Sequence, residues 1–345
     1  MVDFHGWTLP VQYEGILAEH RHCRQAACVF DTSHMGQLLI RPAAAEALAR
    51  VTTQDAAALE VGRARYGFLL NDGGGILDDT ILMRLDEREF LLVVNAGRTG
   101  DDLAWVRSHL EGGAEIENLS ATGWAKLDLQ GPLAAEVLAP LTDADLRTLG
   151  YFRATRAGVC GCECILSRTG YTGELGYELF APAEAIVQVF DALRADARVR
   201  PAGLGARDSL RLEMGYPLYG QDITAETNPV QAELGAFAGE HEHIGAAAVR
   251  AAAAQGPVMK LVALAAGSRR RGEHGDGIFR GDEPVGHVTS AAFSPSLETS
   301  IGLGYVRSDL AEPNTELTVR TARAELPVTV RPKPLYAKGT CRIKL

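Results

Sequence analysis

An α+β chain closed by a separate all-β domain is the architecture that the amino-acid pattern implies. Through residue 256, stretches of two-residue alternation are interleaved with apolar residues at helical spacing. Gly256-Pro257 then breaks an alanine-rich helical segment, and from Val258 onward short alternating runs and glycine turns replace helices. At 345 residues the chain exceeds one ordinary core, so two or three domains are expected.

The elements follow in order. Ile16, Leu17, His20, Cys23 and Ala27 recur at helical spacing, so an amphipathic helix opens the chain. "VFDTSHMGQLLIR" reads as a loop running into a strand, and residues 43–50, rich in alanine and leucine, as a helix. "RYGFLLNDGGGILDDTILMRL" is a hairpin, "EFLLVVNA" a strand, and Thr99 to Leu110 a helix. "WAKLDLQGP" is a strand stopped by Gly131-Pro132, with a helix around 133–140. "CECILSRTGYTGELGYELFAP" is a strand, a glycine-rich loop and a second strand, ahead of a helix from about 183 to 195. In the helix "GARDSLRLEMG", Leu204, Leu210 and Met214 are the candidate inward positions, and 245–255 is a short helix.

Composition excludes several classes. Hydrophobic residues at 46% and charged residues at 23% are those of a soluble globular protein. No apolar run approaches the roughly 18 residues needed to span a bilayer. The N-terminus has no basic stretch followed by an apolar core, so a cytoplasmic protein is expected. A net charge of −10 argues against nucleic acid as the main partner. Arg269-Arg270-Arg271 reads either as a solvated loop or as a local anion site. The cysteines of "CGCEC" lack paired zinc spacing and read as small core residues of a reduced compartment, and "EHEH" reads as an exposed loop.

Four stretches carry the chemistry. In "GGILDDTILMRL" two adjacent carboxylates open a strand, so they point to opposite faces. Asp78 shares a mixed face with Ile76, Thr80, Leu82 and Arg84, whereas Asp79 shares an apolar face with Leu77, Ile81, Met83 and Leu85. A carboxylate in that company is costly to bury without a partner, so Asp79 either sits at the wet end of its strand or is needed there. In "SRTGYTGELGYELF", two glycines bracket Tyr171-Thr172, and Glu178 shares a face with Gly176 and Phe180. That face suits a flat heterocycle, stacked on the aromatic and held by paired N–H donors; an exposed hairpin glutamate is the other reading. Arg207 lies near a helix start, where the dipole disfavours cations, so it implies a carboxylate partner, with Asp208 one candidate. "VGHVTSAAFSPSLETSIGLGYV" reads as an ordered loop between strands with no obvious catalytic group, and no nucleotide-binding loop occurs.

Taken together, "MVDFHGWTLPVQY", "VFDTSHMGQ", "GGILDD", "LDLQGP", "RTGYTGELGYEL", "GLGARDSLRLEMGYPLYGQDI" and "GHVTSAAFSPSL…IGLGYV" resemble the glycine cleavage system T protein, or aminomethyltransferase, family over nearly the whole chain. The resemblance implies a three-domain cloverleaf: two interleaved antiparallel α/β domains within 1–256, the second roughly 41–115 with 150–200, and a barrel-like domain over 257–345. It implies tetrahydrofolate as the one-carbon acceptor and the lipoylated glycine cleavage H protein as partner. The products would be ammonia and 5,10-methylenetetrahydrofolate. Residue by residue, it implies Asp79 as the catalytic carboxylate, with Asp78 supporting it, and Glu178 on the pterin's amino-pyrimidine edge. Tyr171 would line the pterin pocket, Asn95 would lie close to the folate, Arg207 would contact the folate or fix pocket carboxylates, and Met35 would line the channel. "ELGAFAGEHEHIG", the stretch around Glu273 and His274, and the position of Tyr336 depart from the family pattern. A tetrahydrofolate-dependent demethylase of a small methylated amine or sulfonium compound is the alternative. The non-catalytic folate-binding relatives linked to iron–sulfur clusters carry a K-G-C-Y-x-G-Q-E signature where this chain reads "RTGYTGELGYE", which counts against them.

Overall fold

Three sheets organise the computed structural model, which describes residues 1–42 and 44–345. A five-stranded antiparallel sheet has the order Ala64–Leu70, Ile76–Arg84, Phe90–Val94, Gly36–Arg41, Glu115–Asn118. A six-stranded sheet has the order Ala154–Val159, Cys162–Ser167, Gly176–Pro182, Trp124–Gln130, Ala27–Asp31, Val199–Pro201, and only its last pair is parallel. A closed six-stranded barrel runs from Met259 to Arg331. A two-stranded hairpin, Val2–Phe4 with Trp7–Leu9, precedes the first helix, Ile16–Gln25. The helix expected over 43–50 is Ala45–Val51; Ala43 lies outside the described residues.

Hydrogen bonding divides the first 256 residues differently from the expected grouping of 41–115 with 150–200. Strand Trp124–Gln130 pairs on one side with Gly176–Pro182 and on the other with Ala27–Asp31. The 150–200 stretch therefore joins the sheet that holds strand Ala27–Asp31, while residues 36–118 make their own sheet. The two sheets pack face to face: Leu39, Met83 and Leu91 of one lie buried against Ala154, Ile165 and Phe180 of the other. Nor does the barrel domain end the chain's path. Beyond Arg331 the tail returns to the first half, where Cys341 N–H donates to Gly173 O (3.0 Å), Leu175 N–H donates to Thr340 Oγ1 (2.8 Å), and Thr340 bonds Glu174.

Two helices differ from their expected faces, for the same reason. In Ile16–Gln25, Leu17 is exposed, whereas Glu19 is buried and accepts backbone N–H groups from Tyr13, Glu14, Gly15 and Gly203. In Leu204–Met214, Leu210 is buried as expected, but Leu204 and Met214 are only half-buried, and Ser209, Arg211 and Glu213 are buried with Ala206 and Leu212. That helix lies between the first helix and the barrel, so its polar residues find partners on both sides. Glu213 accepts from Arg24 (2.8 Å) and Ser294 (2.5 Å), and Arg211 donates to Asp222 (2.7 Å) and Ser290 (2.9 Å). An apolar-periodicity argument cannot see a helix buried on its charged face.

Candidate active site

Asp79 stands where its sheet's ladder runs out. Strand Ile76–Arg84 pairs with Phe90–Val94 only from Ile81, opposite Val93, to Arg84, opposite Phe90. Carrying that register two residues further places Asn95 opposite Asp79, just past the end of the partner strand. The gap is closed by side chains instead of backbone. Asn95 Nδ2 donates to Asp79 Oδ1 (2.8 Å) and Asp78 Oδ1 (2.9 Å), and Asn95 N–H donates to Asp78 Oδ2 (2.8 Å). Tyr66, on the neighbouring strand, donates its hydroxyl to Asp79 Oδ2 at 3.1 Å. Asp79 is half-buried, near the end of a ladder, and hydrogen-bonded by Asn95 and Tyr66.

The electrostatics follow from crowding. Burial first, then the neighbouring Asp78, push the Asp79 carboxyl up to about 7, although the bonds from Tyr66 and Asn95 pull it down. Asp78 is fully buried, and burial followed by the charge of Asp102 lifts it well above the carboxylate range. Asp102, on helix Thr99–His109, is buried and itself raised by burial to about 7, and its charge is felt at Asp78. Three carboxyls buried this close together disfavour one another's charge, which adds to what keeps the Asp79 carboxyl raised. At neutral pH Asp79 is poised between a proton acceptor and a proton donor, the state suited to acid–base work.

A second cluster holds Glu178. Glu178 and Asp128 are direct cross-strand partners. Lys126 Nζ bonds Asp128 Oδ1 and lies 3.0 Å from Glu178 Oε1, Thr169 donates to Glu178 Oε2 (2.7 Å), and Arg207 donates to Asp128 Oδ2 (2.9 Å). Arg207 thus has its carboxylate partner, but it is Asp128; Asp208 pairs instead with Arg211. The Arg207 guanidinium also lies over the Tyr171 ring, 4.9 Å from its centroid. Burial pushes the Tyr171 hydroxyl up, Arg211 draws it down, and the charge of Asp79 adds to the rise, which puts Tyr171 within electrostatic reach of both clusters. His34, 5% exposed, has an unpartnered Nδ1; burial and then the charges of Arg207 and Lys126 hold its imidazole down at about 3, so it is neutral.

Of the sequence-predicted residues, Asp79 and Asn95 are in contact, and Tyr171, Arg207 and Glu178 are joined through Asp128 and Lys126. Met35 stands apart, half-buried against the cluster between the two sheets. Phe180 cannot be the stacking platform expected beside Glu178, because it is fully buried in that same cluster with Lys126 Nζ 5.5 Å from its ring. The glycines around Tyr171 serve packing. A Cβ on Gly170 or Gly176 would meet the buried Gln130 amide at 2.0 and 2.3 Å, and one on Gly173 would meet Met214 at 2.3 Å. Tyr336 lies under Arg24, 4.3 Å from guanidinium carbon to ring centroid. His241 and His243 are half-buried and bond the backbone oxygens of Ala49 (2.8 Å) and Ala238 (2.6 Å), in place of the exposed loop expected. Arg269, Arg270 and Arg271 are exposed. Sequence reasoning missed Lys126, Asp128, Tyr66 and Asp102. The first two did leave a signal: Lys126, Asp128 and Gln130 alternate along one strand and so share one face, and that face is buried.

Two features define the class: an α+β body with a closed C-terminal barrel, and a half-buried carboxylate poised near neutrality beside a buried carboxylate–cation cluster. The profile of the GCVT N-terminal domain matches residues 1–240, and that of the glycine cleavage T-protein C-terminal barrel domain matches residues 259–337. The chain belongs to the glycine cleavage T-protein family and is a transferase. Among curated relatives, the aminomethyltransferase of Desulforamulus reducens is 39% identical, covering 98% of this chain and 94% of the relative. That of Saccharopolyspora erythraea is 42% identical over the same shares. The crystal structure of the glycine cleavage system aminomethyltransferase T from Bartonella henselae superposes with a TM-score of 0.92 at 34% identity, covering 98% of this chain and 94% of that one.

Proposed function

We propose that this chain transfers the one-carbon unit from the aminomethyl-lipoyl arm of glycine cleavage H protein to tetrahydrofolate, releasing ammonia, in the cytoplasm. The observation that carries the reading is Asp79, a carboxylate raised to about 7 and fixed by Asn95 and Tyr66. The residues fit a folate. Glu178 is a buried carboxylate of the kind that takes the paired N–H donors of an amino-pyrimidine, and the unpartnered Nδ1 of the neutral His34 lies within electrostatic reach of the same cluster. Six free cysteines suit a reducing compartment.

Tetrahydrofolate, when bound, supplies the amine nitrogens that receive the carbon, giving 5,10-methylenetetrahydrofolate while ammonia and the lipoyl thiol depart. Asp79 accepts the proton lost from the attacking amine and offsets positive charge developing on the carbon–nitrogen unit. Asn95 and Tyr66 orient Asp79, and the Asp78–Asp102 pair behind Asn95 sets the charge that Asp79 feels. Glu178, Tyr171 and Arg207 hold the ring end of the folate, and alignment of the two reactants supplies most of the remaining acceleration.

Because Asp79 acts as a base, kcat/KM rises with pH through about 7 and then levels. Tyr66→Phe removes a hydrogen bond that stabilises the charged form, so the acid limb moves to higher pH. A pH–rate profile of both proteins tests this; an unmoved limb excludes Tyr66 as the group that tunes Asp79. Turnover of aminomethyl-loaded H protein with tetrahydrofolate tests the function itself.

A further inference from the structure

Lys126 is only 1% exposed, on a strand paired with the one that carries Glu178. Side chains directly opposite on antiparallel strands lie about 4.5–5.5 Å apart at Cβ, and like charges there repel. Asp128, fully buried, and Glu178, 4% exposed, are such a pair. Lys126 Nζ sits between them: it donates to Asp128 Oδ1 and Thr32 Oγ1 (3.2 Å) and forms an ion pair with Glu178 Oε1 at 3.0 Å. Arg207 takes the other oxygen of Asp128, so two cations face two carboxylates. Packing does not call for a lysine here, because buried ionic clusters are often matched or bettered in stability by apolar side chains of similar volume.

We propose that Lys126 is a positioning residue of the folate site, holding Glu178 fixed against the repulsion of Asp128 so that its oxygens meet the pterin's N–H groups. Each engaged oxygen keeps a second acceptor direction for a ligand. The inference rests on the folate reading above. Lys126 does nothing to the bond-making step: Asp79, Asn95 and Tyr66 share no contact with it among the described residues.

The test is calorimetric binding of tetrahydrofolate to the full chain and to Lys126→Met, Glu178→Gln and the double variant, with circular dichroism confirming each fold. Lys126→Met weakens binding by about 10-fold or more, the scale of one charge-assisted hydrogen bond. The double variant binds no more weakly than Glu178→Gln alone, within about 3-fold, because both changes remove one contact. In turnover, the loss of Lys126 appears in KM for tetrahydrofolate more than in kcat. Should the methionine variant not fold, Lys126→Gln carries the same comparison. If wild type binds tetrahydrofolate and folded Lys126→Met binds it equally well, or if the two losses add in full, Lys126 has no such role. If wild type binds none, the folate reading falls and this inference with it.

Discussion

Replacing Asp79 by Asn lowers turnover by about 10²-fold or more while tetrahydrofolate still binds. The substitution keeps the side chain's shape and lets Asn95 and Tyr66 keep their places, so the loss belongs to the proton that an amide cannot accept. Equilibrium binding with single-turnover kinetics separates the two effects. Unchanged turnover sinks the role given to Asp79, and lost binding moves that residue into ligand recognition. A stability readout accompanies this. The folded-state carboxyl is raised to about 7 against an unfolded value of about 3.9, so ionised Asp79 costs the native state a contribution that grows as pH rises from one value to the other. Asp79→Asn removes that cost. The variant's denaturation midpoint therefore gains on wild type between pH 5 and pH 8, and a difference independent of pH contradicts the raised carboxyl.

Glu213→Ala destabilises the chain by about 3–5 kcal/mol, the cost of breaking a buried ion pair from one side. Glu213 is fully buried, and its carboxylate ties its own helix to two other parts of the molecule, the first helix and the barrel. Oε2 accepts from Arg24 Nη2 (2.8 Å) on the first helix, and Oε1 accepts from Ser294 Oγ (2.5 Å) in the barrel and lies 3.1 Å from His20 Nε2. Removing it leaves Arg24 with Glu174 as its remaining carboxylate and His20 without its acid. Burial pushes Glu213 up, but His20, Arg24 and Ser294 outweigh it and hold the carboxyl at about 2. With the folded value depressed, the stabilisation is whole above the unfolded value of about 4.3 and fades as pH falls toward 2. Urea titrations at pH 7 and pH 3 measure both points. A loss under about 1 kcal/mol at pH 7 makes the cluster dispensable.

Most elements were legible because two signals, period and glycine punctuation, mark them locally. The glycine turn before Ile76 and the Gly256-Pro257 break are of this kind. What periodicity could not give was the partner of each sheet edge. That strand Trp124–Gln130 bridges strand Ala27–Asp31 and the 150–200 stretch is decided by contacts between segments far apart in the chain. The same limit governs the site. Alternation singled out Asp79 as out of place, and the helix dipole marked Arg207 as in need of a carboxylate, yet neither could name Tyr66 or Asp128. Phe180 shows the converse error: sharing a face with Glu178 suggested a stacking ring, but the opposite sheet had already covered it.

The decisive measurement mixes the purified chain with tetrahydrofolate and aminomethyl-loaded lipoyl H protein and follows ammonia and 5,10-methylenetetrahydrofolate together. Release of both in equal amounts is the expected result. Neither product, from a chain that binds tetrahydrofolate, contradicts the proposed donor and requires a different methylated or aminomethylated substrate for the same carboxylate.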